Sequence, residues 1–205
     1  MTLNTSTPKL CYTAGGMLIH EGKVLLVKHK KLGIWLNPGG HIEEDELPHQ
    51  AAEREFWEET GVKVCAIDPY NDSLVGKGTD SEFFPNPIST NVHWVNRESY
   101  DLRMQAEDSL KRVPTKKWKR GCEQHVGFFY LLASVGSVEF TQNVEETDGI
   151  AWFSNEEIST LETTEDIRTE ILRGFALKKS YSLCYKITLI LSGFSQYFLI
   201  HYFLL

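Results

Sequence analysis

A chain of 205 residues, 41% hydrophobic and 24% charged, can bury one substantial core and has neither the length of a multidomain protein nor the composition of a disordered or fibrous one. Its 28 acidic against 21 basic residues leave a net charge of -7, which argues against broad, nonspecific binding to nucleic acid and fits a small anionic substrate held through metal ions. The balance is uneven: residues 171–205 hold four basic residues and no Asp or Glu, so the first 170 carry 17 minus 28, or -11.

The first residues show no basic patch followed by an apolar run, so no secretory signal is expected and a cytoplasmic location is the default. Cys11, Cys65, Cys122 and Cys184 are far apart and form no CxxC pair. Reduced thiols are therefore expected, with neither a zinc site nor a disulfide framework.

In chain order, Leu10 to Ile19 and Lys23 to Lys28 read as two strands joined by a short hairpin through a turn at His20-Glu21-Gly22. Residues 33–40 have the composition of an ordered loop, in which Gly39 and Gly40 let the backbone approach another group closely. Pro48 and Gly61 bracket a helix over about 48–59, and Ala52 and Phe56, four apart, form its anchoring apolar stripe. Ala51 falls on the acidic side, where its small side chain would leave room for ions or substrate. Val62 to Ile67 is a strand candidate, and 68–91 reads as loop with one short strand at most. Val92 to Val95 is another strand, and Arg97 to Leu110 has a weak helical period.

Lys111 to Arg120 holds six basic residues in ten, Lys116 and Lys117 among them, with Trp118 interleaved. It reads as a solvated loop, or more sharply as a clamp for substrate phosphates or a platform for a base. Val126 to Ala133 is a continuous apolar run suited to a strand buried on both faces, and Val138 to Phe140 is expected to extend the sheet. His93 and His125 read as hydrogen-bonded strand histidines first, with contact to substrate as the alternative. Ile150 to Phe153 is a short strand, Ser154 to Glu157 has the spacing of a capping box, and a second helix starts there or near Thr164 and runs to about Leu177. Residues 187–205 are uncharged over 19 positions, the length of a bilayer span, and are read either as a membrane anchor or as a docked apolar appendage.

The segment from Gly40 to Val62 carries the chemistry. At about 100° per residue, Glu55, Glu58 and Glu59 fall within about 100° of arc and point their carboxylates one way. Such like charges cost a few tenths of a kcal/mol per pair unless neutralised, and hard divalent cations with oxygen ligands convert that cost into affinity. Arg54, four before Glu58, is placed to orient a carboxylate.

These residues carry a resemblance. Gly40, Glu46, Arg54, Glu55, Phe56, Glu58, Glu59, Gly61 and Val62 occupy the fixed places of the pattern G-x5-E-x7-R-E-U-x-E-E-x-G-U, the Nudix box, with Phe56 bulkier than the usual aliphatic. Gly15-Gly16, Trp35, Pro38-Gly39 and Trp152-Phe153-Ser154 also look like the Nudix hydrolase family, over residues 10–177. The resemblance implies an α/β (α+β) fold with a mixed sheet sandwiched between helices; it stops at 177, so the chain is read as a Nudix-like domain over 1–177 followed by an apolar tail over 178–205. It also implies hydrolysis of a nucleoside diphosphate linked to another group, with magnesium or manganese as cofactor and no stable nucleic-acid partner. By position, Glu55, Glu58, Glu59 and the Gly39 carbonyl would hold the metal, Glu46 would support it and Arg54 would orient a carboxylate. Glu55 is the favoured base, with Glu146 and Asp148 as alternatives outside the box. Two other readings accompany this one: a regulatory domain that binds nucleotide without cleaving it, and a diphosphate isomerase on the same fold, which would need a catalytic cysteine.

Overall fold

The hairpin expected at the start is present, with β1 (Leu10–His20) and β2 (Lys23–His29) joined through Glu21 and Gly22, both at positive φ as a tight two-residue turn requires. The computed structural model describes residues 6–70, 76, 77 and 79–191, apart from the side chains of 77 and 181–191. Two short strands follow, β3 (Trp35–Leu36) and β4 (Gly39–His41), where a loop was expected. Then come α1 (Pro48–Thr60), β5 (Val64–Ile67), and the small hairpin β6 (Gly76–Lys77) and β7 (Glu82–Phe83). The order continues with β8 (Ser89–Trp94), α2 (Arg97–Gln105), β9 (Gln124–Ser134) and β10 (Thr147–Ser154). Helices α3 (Asn155–Ile158) and α4 (Glu165–Leu191) complete it.

The main sheet has eight strands, with the path β10-β2-β1-β9-β5 and with β3, β4 and β8 paired onto β2, β1 and β9. Among the described residues only β1 and β9 run parallel, so the sheet is mixed. Successive residues of a strand face opposite sides, and the buried positions divide accordingly. Ala14, Leu18, Leu25 and Leu132 pack with Ala51, Ala52 and Phe56 of α1 on one face. Met17, Val24, Leu26 and Leu131 pack with Ile158, Leu161 and Ile171 of the α3–α4 region on the other. The sheet therefore lies between helices, in the expected α+β architecture.

Several expectations are corrected. Val138 to Phe140 forms no strand, and Ala51 is fully buried in the core instead of opening space beside the carboxylates. The capping box at Ser154 is formed and opens the four residues of α3; the long helix takes the later of the two expected starts, at Glu165 next to Thr164, and runs past Leu177 to Leu191. Residues 192–205, half of the apolar tail, lie outside the described residues, and among the described residues no helix is long and apolar enough to cross a membrane.

The cysteine expectation is corrected as well. Cys11 and Cys122 are joined in a disulfide across 111 residues, with Cα atoms 5.8 Å apart, while Cys65 is free. Parallel pairing of β1 with β9 places Cys11 opposite His125 and so close to Cys122, a proximity that sequence spacing does not contain. Nearby, Arg103 of α2 and Glu123 form an ion pair with both side chains fully buried, and Glu123 also accepts from the Lys9 backbone N–H. Breaking such a pair leaves an uncompensated buried charge. It ties the segment from 97 to 123 to the start of β1.

Candidate active site

Helix α1 is bounded as its sequence suggests: Pro48 opens it, the Leu47 N–H donates to Gln50, and Gly61 closes it in the left-handed conformation at φ 72°. Phe56 and Ala52 fix its buried side, which leaves Glu55 and Glu59 at the edge facing β4 and Glu58 further out.

Arg54 organises these carboxylates. Its Nε and Nη2 donate to the two oxygens of Glu46 at 2.8 and 2.9 Å, its Nη1 to Glu55 at 2.9 Å and Glu58 at 3.0 Å, and its Nη2 also to the His41 carbonyl at 3.0 Å. All five guanidinium N–H groups are thereby used, and the fork on Glu46 is bidentate. Its hydrogen bond to Arg54 holds the Glu46 carboxyl below the usual range. At Glu55 burial outweighs the same guanidinium and pushes the carboxyl up.

Strand β4 supplies the other wall. A Cβ at Gly40 would stand 2.2 Å from the Glu55 carboxylate, and one at Gly39 would stand 2.6 Å from the Ala14 carbonyl oxygen. Glycine at both positions is what lets the backbone reach the acids. The Gly39 N–H donates to Glu59 at 3.3 Å.

Glu59 is only 5% exposed, and among the described residues no cationic side chain pairs with it. Burial, and next the neighbouring Glu55 carboxylate, push its acid up to about 8. A buried, converging set of oxygen donors with surplus negative charge fits a hard divalent cation. The sign of the resulting pH dependence follows. Raised from 4.5 to about 8, this carboxyl contributes stability that is complete below 4.5 and lost as pH rises through about 8. A cation must displace that proton. In calorimetric titration of the metal-free chain, magnesium affinity should rise by up to about tenfold per pH unit and level off above about 8. A flat profile would separate Glu59 from the metal.

Of the two outlying acids, Glu146 is one of the carboxylates whose charge helps to push up both Glu55 and Glu59. The device that brings Glu146 in is absent from the sequence reading: Asn143 donates through its side chain to the Glu58 carbonyl and through its backbone to that of Glu59, and Thr141 donates to Thr60. This loop caps the end of α1.

The basic loop divides differently from expectation. Lys117 and Lys31 lie over the Trp118 ring, at 5.6 and 6.0 Å, and Lys116 is exposed. Arg112 and Arg120, not Lys116 and Lys117, line an open cleft with His41, Glu46 and Tyr12. Burial, with Arg120 and Arg112 next, lowers the His41 imidazole to about 4.

Against known proteins, the NUDIX domain family matches residues 10–175. A MutT-like protein of Streptomyces ambofaciens is 39% identical over 61 residues, 29% of this chain and 40% of that protein. Phosphatase NudJ of Escherichia coli K12 is 50% identical over 46 residues, 22% of this chain and 30% of its own length. The chain thus matches less than half of the length of these relatives. Among solved structures, a NUDIX-family hydrolase from Clostridium perfringens aligns with a TM-score of 0.60 at 25% identity, covering 81% of this chain and 96% of that one. The MutT protein of Methanosarcina mazei Go1 aligns at 0.54 and 16% identity over 84% of this chain and 96% of its own, a likeness of fold.

Proposed function

Because this chain belongs to the NUDIX family, we propose that it is a pyrophosphohydrolase that cleaves the phosphoric anhydride of a nucleoside diphosphate derivative by attack of water on phosphorus. The observation that carries the reading is the Arg54 fork, which gathers Glu46, Glu55 and Glu58 beside the buried Glu59 at the glycines of β4.

Magnesium or manganese would be held by Glu55, Glu58, Glu59 and the Gly39 carbonyl. Such an ion neutralises charge on diphosphate oxygens and lowers the pKa of a water. Glu46 and Arg54 position the acids. Glu55, lifted above the ordinary carboxylate range and bonded to Arg54 through Oε1, accepts the proton of the attacking water. Glu146, exposed on its capped loop, is the alternative acceptor; Asp148 has less support. Arg112 and Arg120 take the anionic end of the substrate, with Lys116, Lys117 and Trp118 as outer contacts. The catalytic domain in this reading is 1–177, with 178–205 appended, and it acts in the cytoplasm.

Oxidised nucleoside triphosphates, dinucleoside polyphosphates, nucleotide sugars and capped RNA define the substrate classes to test. Incubation of the full chain with each class and magnesium, with products identified by mass, should release phosphate or a nucleoside monophosphate from at least one. No cleavage of any of them in magnesium or manganese would overturn the reading.

A further inference from the structure

A second group of ligating side chains lies outside the acidic centre. Cys11 at the start of β1, His41 at the end of β4 and Cys122 just before β9 bring one donor atom each to within 4.8 Å of one another, and the His41 Nε2 stands 3.4 Å from the Cys122 sulfur. Three separate segments of the chain converge here. Cys122 is buried and the other two are half-buried. Behind them, the His125 ring lies 4.9 Å from that of His41, and its Nε2 is buried with no hydrogen-bond partner, contrary to the bonded strand histidine expected from sequence. A buried polar nitrogen without a partner calls for a reason.

The donor set differs in kind from that of α1. Two sulfurs and an imidazole suit a borderline or soft ion, zinc above all, whereas the carboxylates suit magnesium. The spacing is suitable too. Around an ion with metal–sulfur bonds of about 2.3 Å and metal–nitrogen bonds of about 2.0 Å, a tetrahedral sulfur–nitrogen edge is about 3.5 Å. The Cα separation of 5.8 Å allows the two cysteines to be bridged or to stand as separate ligands after a side-chain rotation. Arg112 and Arg120, beside His41, favour thiolate over thiol and offset the charge of two thiolates. A reducing compartment disfavours the disulfide.

We propose that, with the Cys11–Cys122 disulfide reduced, Cys11, Cys122 and His41 form a thiolate–imidazole site for a zinc-class divalent ion, separate from the carboxylate centre on α1. Its fourth position is taken by water or by His125. Reduction breaks the S–S bond with two electrons and two protons from two thiols of the glutathione class, which are themselves joined in one disulfide. The ion then forms two bonds to sulfur and one to nitrogen and releases both thiol protons to solvent. Oxidation by a disulfide oxidant removes two electrons from the sulfurs, closes the bridge and expels the ion.

Cobalt(II) is the probe, because thiolate ligation produces a near-ultraviolet charge-transfer band that carboxylate ligation does not. The full chain, reduced and freed of reductant without air, should bind one cobalt per chain with that band and with the visible absorption of a tetrahedral ion. The band should survive excess magnesium, Glu58→Gln, Cys65→Ser and Cys184→Ser, give way to zinc, and disappear in Cys11→Ser and Cys122→Ser. Oxidation of the wild-type chain should abolish it reversibly, a comparison that needs no variant to fold. Absence of the band in the reduced chain, its persistence in either ligand variant, or its displacement by magnesium would overturn the proposal. None of these readouts depends on turnover, so the site stands or falls independently of the proposed hydrolysis.

Discussion

Glu59→Gln is expected to lower magnesium-dependent turnover by at least about a hundredfold, the scale of losing one preorganised stabiliser of transition-state charge. The same change should leave the metal-free protein folded and raise its stability. The wild-type carboxylate is 5% exposed, lacks a cationic partner among the described residues, and is forced towards its protonated form by burial and by Glu55. Glutamine keeps the shape and can accept from the Gly39 N–H without charge. The gain should be about 1–3 kcal/mol at neutral pH, read from thermal unfolding without metal. Added magnesium should stabilise the wild type and have much less effect on the variant. Opposite signs for activity and stability distinguish a ligand from a core residue, since a packing residue would lose both. Turnover equal to wild type would remove Glu59 from the metal set.

Local signals made this centre legible. Pro48, Gly61, the Ala52–Phe56 stripe and the carboxylate spacing all lie within one helix, where a regular rotation converts sequence distance into direction. The strands β1, β2 and β9 were legible from their apolar runs, and the continuous run in β9 fits its burial on both faces, with Leu132 in one core cluster and Leu131 in the other. What escaped depends on contacts between distant segments. Strand β4 is three residues long and exists because Thr13, Ala14 and Gly15 pair with it. Composition showed only a glycine-rich loop there. The attachment of the loop that carries Glu146 depends on Asn143 bonding the last turn of α1 from some 85 positions away. Across residues 97–123 the informative residues are Arg103 and Glu123, whose buried pairing has no local signature in a polar sequence. The Cys11–Cys122 contact needs β1 and β9 to be parallel neighbours, and apolar runs do not encode strand direction.

The second large effect is expected at Arg54, through geometry and not charge alone. The guanidinium serves Glu46 as a fork, Glu55 and Glu58 through the second amine, and the His41 carbonyl of β4. Arg54→Lys keeps the charge but offers three donors on one nitrogen, so it cannot bridge Glu46 and Glu58 while also holding β4. Arg54→Ala removes the charge and leaves three acids facing one another. The side chain is 24% exposed, so solvent screens part of the loss, and a destabilisation of about 2 kcal/mol is expected for alanine, below the range for a fully buried pair. Turnover should fall about tenfold to a hundredfold for lysine, and further for alanine, because in the proposed mechanism Glu55 would lose its orientation towards the attacking water. Magnesium should recover much of the stability of Arg54→Ala by neutralising the same acids, but little of its turnover, since an ion replaces the charge and not the fork. Thermal unfolding with and without magnesium, alongside kcat for both variants, measures the two effects separately. Full activity in Arg54→Lys would mean that a positive charge suffices at this position and that the alignment of Glu55 is set elsewhere, by its packing against Gly40.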